Sequence, residues 1–340
     1  MNRASLLSAN AVLSALALAS CGGDATQPNS PEGVALRTPE AAVSSGTWTK
    51  KRQIRPPRDR MAAGTLNNTI YVAGGFQSTV GITARVDAYN VATNTWSQVK
   101  SLPSRIHGPY GVSALNGRLY VAGGYTPSAE DAWQPGNPSR ALFEYTPTTN
   151  HWVRKRPLPA FTGPYCEGGA QGVIGGRLYI YVPCYDASPG GRFFRYDPAT
   201  DRYLSLPGPP VRHDFGGAGV INGKFYLASG GAAGVNQLLH VYNPATNAWT
   251  AKARLPTTRF NVASAVLNGK LFLIGGQLPG INRGDNTLTW YDPATNTWSK
   301  GPPMPTPRFG AAAASASGRV HVIGGSDSTG LRATVEAYTP

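Results

Sequence analysis

A double glycine closes an apolar run five times along the 340-residue chain and sets the spacing of its other features. The doublets are Gly74-Gly75, Gly123-Gly124, Gly230-Gly231, Gly275-Gly276 and Gly324-Gly325. A tryptophan follows each of the first four after about 20 to 30 residues, whereas the last unit runs out at Tyr338. A sixth unit is degenerate, with Val182-Pro183-Cys184 in place of the glycines and Tyr203 in place of the tryptophan. The chain therefore contains six related units, repeated roughly every 45 to 60 residues.

Each unit reads as four short strands, which we label A to D. In the fifth unit, strand A covers residues 262–267, strand B 270–274 and strand C 288–291, and strand D lies at Trp298. Asn268-Gly269, between A and B, is typical of a two-residue hairpin turn because both central positions require positive φ. An all-β pattern with this period predicts a β-propeller. We therefore expect an all-β fold of six blades, each a sheet of four antiparallel strands.

The repeat region is incomplete at its two ends in complementary ways. Trp48 precedes any A, B or C strand, and the last unit ends at Tyr338 without strand D. We predict that the strand around Trp48 completes the last blade beside Tyr338, because a ring closed in this way leaves no blade edge unpaired. The predicted propeller spans residues 47–340. One large residue recurs in strand B and is expected to pack between blades: Tyr71, Tyr120, Tyr179, Tyr226, Phe272 and His321.

The glycine doublet, the aromatic residue before an Asx-Pro turn and the tryptophan together resemble the kelch-repeat family. The register of these markers is kept over nearly all of residues 47–340. The resemblance implies four-stranded blades around a central channel. It also implies that arginines near the start of strand A can contact acidic ligands. Some bacterial propellers of this type resemble sugar epimerases, and the copper enzyme galactose oxidase carries one as well.

An even number of strands per blade decides which loops share a face. The A–B and C–D turns lie on one face, and the B–C and D–A loops lie on the other. The second set varies in length and composition, which is typical of binding loops on a rigid scaffold. The longest B–C loop, residues 126–140, contains Trp133. This tryptophan either belongs to a recognition surface or packs down over its own blade.

Five units carry an arginine near the start of strand A, namely Arg58, Arg105, Arg212, Arg259 and Arg308. Guanidinium groups that converge on the channel mouth would bind a carboxylate, sulfate or phosphate. The alternative is a scaffold role, in which the arginines hydrogen-bond carbonyls of the adjacent blade. His107 and His213 follow two of the arginines, so both are further candidates for ligand binding at the rim.

A binding module and an enzyme are the two classes of function that the sequence leaves open. Glu167 and His107 are the candidate catalytic residues, with Arg105, for proton transfer on an acidic sugar. A copper radical oxidase needs two histidines, two tyrosines and a cysteine cross-linked to tyrosine. The nearest candidates for that set match it poorly: His107, His213, Tyr110, Tyr165 and Cys166. We find no HExxH motif, glycine-rich phosphate loop or nucleophile elbow, and we expect no metal and no cofactor.

Two of the three cysteines are spaced for a disulfide. Cys166 and Cys184 flank Gly175-Gly176, a turn signal between two strand-like runs. A hairpin about that turn places residues whose numbers sum to about 351 opposite each other, and these two sum to 350. We predict a disulfide, which in an exported protein would contribute roughly 3 kcal/mol to the free energy of unfolding. The alternative is a reactive pair of free thiols.

The N-terminal region predicts export. Arg3 is the only charge before an apolar-rich stretch, residues 4–20, that is too short to span a bilayer as a mature helix. Leu18-Ala19-Ser20-Cys21 resembles the lipobox of bacterial lipoproteins, which implies cleavage before Cys21 and lipidation of its thiol. Residues 1–20 would be the signal peptide and residues 21–46 a flexible tether. An ordinary secretory signal is the alternative.

Charge adds to this expectation about partners. The net charge is +14, although only 14% of the residues are charged, so the protein should attract anions. A location outside the cytoplasm, on a membrane facing the periplasm or at the cell surface, makes nucleic acid an unsuitable partner. We therefore expect a monomeric, lipid-anchored binding module for a protein or an anionic glycan, which contacts its ligand through the B–C and D–A face.

Overall fold

The described residues form a six-bladed β-propeller in the computed structural model, as the repeat spacing predicts. The structure describes residues 45–129, 135–161, 163, 165–185, 189–230, 237–281 and 283–340. Each of six sheets contains four antiparallel strands in the order A-B-C-D. Short two-stranded ribbons decorate three of the B–C loops. The sequence prediction of fold and blade number is confirmed.

Strands A are Ala62–Leu66, Gly111–Leu115, Ala170–Ile174, Gly217–Ile221, Ala263–Leu267 and Ala312–Ala316. Strands B are Thr69–Ala73, Arg118–Ala122, Arg177–Val182, Lys224–Ala228, Lys270–Ile274 and Arg319–Ile323. Strands C are Val86–Asn90, Leu142–Thr146, Arg192–Asp197, Leu239–Asn243, Leu288–Asp292 and Val335–Thr339. Strands D are Thr95–Val99, His151–Arg154, Arg202–Leu206, Ala248–Ala251, Thr297–Lys300 and, in the sixth blade, Thr47–Lys51. The ribbons pair Phe76–Gln77 with Gly81–Ile82, Tyr125–Pro127 with Pro135–Pro138, and Ser326–Asp327 with Gly330–Leu331.

The N-terminal strand closes the ring. Thr47–Lys51 pairs antiparallel with Val335–Thr339, and Trp48 lies opposite Tyr338. The centroids of the two rings are 5.3 Å apart, and the indole N–H of Trp48 donates to the carbonyl of Pro302 at 3.0 Å. The first and last parts of the propeller thus share one sheet, and the sixth blade has four strands like the others.

Aromatic contacts join every pair of neighbouring blades. The large residue of strand B meets the tyrosine of strand C in the next blade, with ring centroids between 5.9 and 6.4 Å apart. The six pairs are Tyr71–Tyr145, Tyr120–Tyr196, Tyr179–Tyr242, Tyr226–Tyr291, Phe272–Tyr338 and His321–Tyr89. Such tilted and edge-on arrangements are favourable for aromatic rings. The prediction that these side chains pack between blades is confirmed.

The tryptophans of strand D hydrogen-bond to the segment that leaves the preceding blade. The indole N–H groups of Trp96 and Trp152 donate to the carbonyls of Arg52 and Lys100, both at 2.8 Å. In the degenerate third blade, the Tyr203 hydroxyl donates to the carbonyl of Arg156 at 3.0 Å. A tyrosine can replace the tryptophan here because it also combines a large ring with a hydrogen-bond donor.

The D–A segments differ in length in a way that singles out blade three. Its D–A segment contains 15 residues between Arg154 and Ala170, against 10 or 11 in the other blades.

Within the described part of the chain, no helix has the length and apolarity that a bilayer crossing requires.

Candidate functional site at the channel mouth

Six residues in the left-handed conformation encircle the channel opening on the B–C and D–A face. They are Arg60, Gly108, Gly168, Phe215, Asn261 and Gly310, with φ between 49° and 70°. In every blade except the third, the backbone N–H of this residue donates to the carbonyl of its counterpart in the preceding blade, at 2.7 to 3.2 Å. Since each lies two or three residues before strand A, this ring fixes how the chain enters each blade.

The residue just before each ring position borders the opening, and its chemistry divides the mouth in two. Blades one to four carry Asp59, His107, Glu167 and Asp214, whereas blades five and six carry Phe260 and Phe309. Both of these phenylalanines and the ring residue Phe215 are partly exposed. Four of the six positions are therefore titratable and two are aromatic. Of the four titratable side chains, only that of Glu167 is not buried.

The structure brings His107 and Glu167 together, as their candidate roles require. His107 Nδ1 lies 3.2 Å from Glu167 Oε1, at an ion-pair distance but without the alignment of a good hydrogen bond. Arg60 Nη1 lies 3.4 Å from Nε2 of the same histidine. The His107 side chain is only 4% exposed, whereas that of Glu167 is 24% exposed. Glu167 is therefore more accessible to a ligand than His107 is.

The cluster holds Glu167 in its charged form. Burial by itself would raise the pKa of Glu167, but the neighbouring His107 and the charge of Arg60 outweigh burial, so the pKa lies below its ordinary value. Two tyrosines lie beside this carboxylate. Burial raises the pKa of Tyr125 to about 12 and raises that of Tyr110 well above its ordinary value. A carboxylate beside an imidazole, backed by neutral phenols, can accept a hydrogen bond or exchange a proton with a bound ligand.

Three of the five predicted arginines lie inside their blades. Arg58, Arg259 and Arg308 are each at most 1% exposed. Each guanidinium group donates to a backbone carbonyl of its own blade: Arg58 to Gly74 at 3.1 Å, Arg259 to Gly275 at 2.9 Å and Arg308 to Val322 at 3.2 Å. Each also contacts one strand C side chain: Asp87, Thr289 and Glu336, respectively.

We call this contact the blade tie, because it fastens the entry to strand A onto strands B and C of the same blade. Burial lowers the pKa of Arg58 and of Arg259 to about 10, which leaves both charged at neutral pH. The contacts agree with the scaffold alternative, with the correction that the carbonyls belong to the same blade and not to the adjacent one. They leave these three arginines no accessible surface for a ligand.

The other two arginines do not occupy the tie position. In blades two and four that position is taken by Ile106 and His213, and each arginine lies one residue earlier. Arg105 is exposed and lines a polar groove with Arg85 and Gln98. Arg212 is partly exposed, and its guanidinium carbon lies 3.7 Å from the centroid of the Tyr185 ring. The expected ring of five equivalent arginines is therefore wrong, because shifts of one residue place them in different surroundings.

Blade four replaces the arginine tie with a pair of histidines. His213 Nδ1 lies 2.9 Å from the carbonyl of Ser229, and His213 Nε2 lies 2.8 Å from His240 Nδ1. His213 is 1% exposed, and burial lowers its pKa to about 3. Burial also lowers the pKa of His240. His213 is therefore a neutral interior residue, which corrects its expected place at the rim.

The glycine doublet of blade four is shifted by one residue. Ser229 and Gly230 have φ of 62° and 86°, as the two glycines have in the regular blades. The Ser229 N–H donates to Leu238, as Gly74 donates to Arg85 in blade one. The predicted second glycine, Gly231, lies outside the described residues. A serine tolerates the left-handed conformation here because its hydroxyl hydrogen-bonds the Arg259 carbonyl.

Blade three has a covalent tie. Cys166 and Cys184 form the predicted disulfide, and Ala170 pairs with Tyr181, which gives the predicted hairpin register. Cys166 stands at the tie position, two residues before Gly168, and Cys184 follows Val182-Pro183, which replace the glycine doublet. Because the sulfur of Cys166 is already bonded, Cys166 is not available for a cross-link to tyrosine. This finding removes the cysteine that the copper-oxidase alternative needs.

Several candidate residues lie beyond what the structure describes. Trp133 in the long B–C loop is one, and Cys21 with the signal and tether segments is another. Among the described residues, no three His, Cys, Asp or Glu side chains gather closely enough to hold a metal ion.

Sequence reasoning missed Arg60, Asp214 and the phenylalanines of the mouth. Their common signal is position, since each lies at or just before a left-handed residue two or three places ahead of strand A. Alignment of the units on that position, instead of on the nearest arginine, would have found them.

Comparison with known proteins agrees with the architecture. A family model described as Kelch motif matches residues 57–103, 108–159 and 258–305. The human "Kelch repeat and BTB domain-containing protein 12" is 28% identical over 192 residues, which cover 51% of this chain and 30% of that protein. "Kelch-like protein terF" of Aspergillus terreus is 28% identical over 186 residues, covering 51% and 39%. The chain thus spans only 30% and 39% of the length of these two curated relatives.

Two further similarities extend this picture. "Beta-scruin" of Limulus polyphemus is 30% identical over 112 residues, covering 33% of this chain and 12% of that protein. The solved structure titled "Structure of YjhT" superposes with a TM-score of 0.68, covering 83% of this chain and 95% of that one. The sequences of this last pair are 15% identical, so the similarity concerns the fold alone.

Proposed function

We propose that this protein, which belongs to the kelch-repeat family, is a lipid-anchored module that binds an acidic protein segment or an anionic glycan at the channel mouth. Kelch propellers are typically protein-interaction modules. One observation supports this site above all: the partly exposed side chains of Glu167 and Arg60 and the partly exposed phenylalanine rings meet around a single opening. Interfaces with mixed polar and aromatic character are typical of recognition surfaces.

Cations on the B–C and D–A face support an anionic ligand, and they stand beside three carboxylates of the mouth, those of Asp59, Glu167 and Asp214. Arg60 lies in the mouth cluster, and Arg105 and Arg212 lie on the same face within the D–A segments. The net charge of +14 adds a long-range attraction for anions. Glu167, a partly exposed carboxylate of the mouth, would select for a ligand that also carries a hydrogen-bond donor.

Charge reversal tests the proposed face. We expect Arg105→Glu and Arg212→Glu each to weaken binding at least tenfold in pull-downs from envelope extract and on glycan arrays. Lys224→Glu is the matched control, because Lys224 is exposed on the opposite face at the A–B turn of blade four. A protein recovered in the pull-down would identify an acidic protein segment as the ligand. Binding on the array would identify an anionic glycan. Binding that both reversals leave unchanged would overturn the proposed face.

The lipid anchor is a separate part of the proposal, and the sequence supports it. The run Leu18-Ala19-Ser20-Cys21 after a short apolar segment is the supporting feature. Cys21→Ser should abolish incorporation of a labelled fatty acid and move the protein from the membrane fraction to the soluble one. Membrane association that survives this substitution, without label, would contradict the anchor.

Acid–base catalysis on an acidic sugar is the second candidate function. The contact of 3.2 Å between His107 and Glu167 favours it, because one group can take a proton while the other returns it. The reaction would interconvert the two anomers of a carboxylated sugar such as sialic acid, since one group removes the proton of the anomeric hydroxyl while the other protonates the ring oxygen as the ring opens. NMR follows the rate of this interconversion. Glu167→Gln should abolish any rate above background, whereas Lys224→Ala should retain it. A wild-type rate equal to background would dismiss this function.

A further inference from the structure

We infer that the Cys166–Cys184 disulfide is the positioning element of the channel mouth, where it holds Glu167 against His107. The importance of this arrangement for ligand binding rests on the proposed function, whereas the contacts themselves do not depend on it. Glu167 follows Cys166 directly, so the carboxylate is one residue away from the cross-link. In the remaining blades, the tie is an arginine, a histidine pair or an apolar side chain, none of which is covalent.

The need for a covalent tie follows from the local sequence. Blade three has Val182-Pro183 where regular blades have two glycines, and its D–A segment is the longest, at 15 residues. A longer segment has more conformations to restrict. Without the cross-link, residues 165–168 would have to be fixed by weaker contacts alone, at the place where the mouth needs a defined carboxylate.

Hydrogen bonds from blade two complete the arrangement. The Cys166 N–H donates to the Tyr125 hydroxyl, and the Tyr110 hydroxyl donates to the Cys166 carbonyl at 2.9 Å. Tyr125 in turn exchanges two backbone hydrogen bonds with His107, both at 2.8 Å. The disulfide therefore anchors one side of a chain of contacts whose other side carries the histidine. Loss of the cross-link should separate the Glu167 carboxylate from the His107 imidazole and not merely loosen blade three.

The test measures Glu167 without any ligand. We expect Cys166→Ala with Cys184→Ala to raise the pKa of the Glu167 carboxyl toward its ordinary value, as observed by carbon-13 NMR titration of the whole chain. Hydrogen exchange of the backbone amide at position 166, which donates to the Tyr125 hydroxyl in the wild type, should accelerate at least tenfold. Arg259→Met is the matched control, because it removes the tie of blade five and should change neither reading.

Each outcome decides the inference. An unchanged Glu167 pKa together with unchanged exchange in the folded double variant would overturn it, and so would an equal response to Arg259→Met. If the double variant does not fold, the same two readings on Cys166→Ile with Cys184→Ala, which places the apolar residue of the blade-two tie at position 166, replace it. Since neither reading involves a ligand, failure of the proposed binding function would leave this result intact.

Discussion

Blades one, five and six differ from blades two, three and four in how each is tied together. The first group uses a buried arginine at the tie position, and the second uses Ile106, Cys166 and His213. The strand C partner changes in step, from Asp87, Thr289 and Glu336 to Phe143, Phe194 and His240. Every blade therefore places a buried side chain at the tie position, and the chemistry of the tie varies from blade to blade. The second group also supplies His107 and Glu167 at the mouth, so variation in the scaffold accompanies the candidate site.

The largest effect is expected where an arginine tie is broken. Arg308→Met would leave Glu336, which is fully buried, without its cation. Removal of one partner of a buried ion pair typically costs about 3 to 5 kcal/mol of unfolding free energy, measurable by urea denaturation. Arg308→Ile with Glu336→Phe, which copies the pair of blade two, should recover most of that loss. A loss below about 1 kcal/mol for the single variant would show that this tie is dispensable.

Loss of the disulfide should have the second-largest effect on the unfolding free energy. Cys166→Ala with Cys184→Ala opens a loop of 18 residues and should lower the unfolding free energy by about 3 kcal/mol. Denaturation under non-reducing conditions measures the difference from the wild type. A stability equal to that of the wild type would mean that the blade-two tyrosines hold residues 165–168 without help.

The histidine tie predicts sensitivity to acid. The folded protein keeps His213 neutral down to about pH 3, whereas the unfolded chain takes up the proton near pH 6.5. The unfolded state therefore binds more protons between these values, and stability falls with falling pH in that window, by at most about 1.4 kcal/mol per pH unit for each buried histidine. His213→Ile with His240→Phe should flatten this slope. Urea denaturation of both proteins at pH 5 and at pH 7 measures how much stability each loses on acidification. If the wild type and the variant lose the same amount, the acid sensitivity comes from other groups.

The smallest effect separates the exposed arginines from the buried ones. Arg105→Ala should change the unfolding free energy by no more than about 0.5 kcal/mol, because Arg105 is exposed and lies outside the tie position. Arg259→Ala should cost several times more, since its guanidinium group serves two carbonyls and a hydroxyl. Parallel thermal melts would compare the two, and equal losses would contradict the assignment of Arg105.

The sequence correctly predicted the parts of the molecule that repeat. The six blades, the closure by Trp48 and the aromatic contacts between blades follow from side chains that recur at fixed spacing. The disulfide occurs once and follows from the register of one hairpin. The positions of His107 and Glu167 near the mouth were also within reach, because they lie near the start of strand A. The arginine ring failed, because sequence spacing near a loop is uncertain by one residue, and that residue separates the blade interior from the surface.

What the sequence determined by itself was the propeller, since a hydrophobic pattern repeated six times can bury its aromatic residues only between stacked sheets. What only the tertiary structure decided was which charged side chains face inward. Arg58 and Arg105 look alike in sequence, yet one is enclosed by carbonyls of its own blade and the other is exposed. The reason is physical: a charge is stable inside a protein only where hydrogen-bond partners from distant residues meet it, and those partners come together only when the blade is folded.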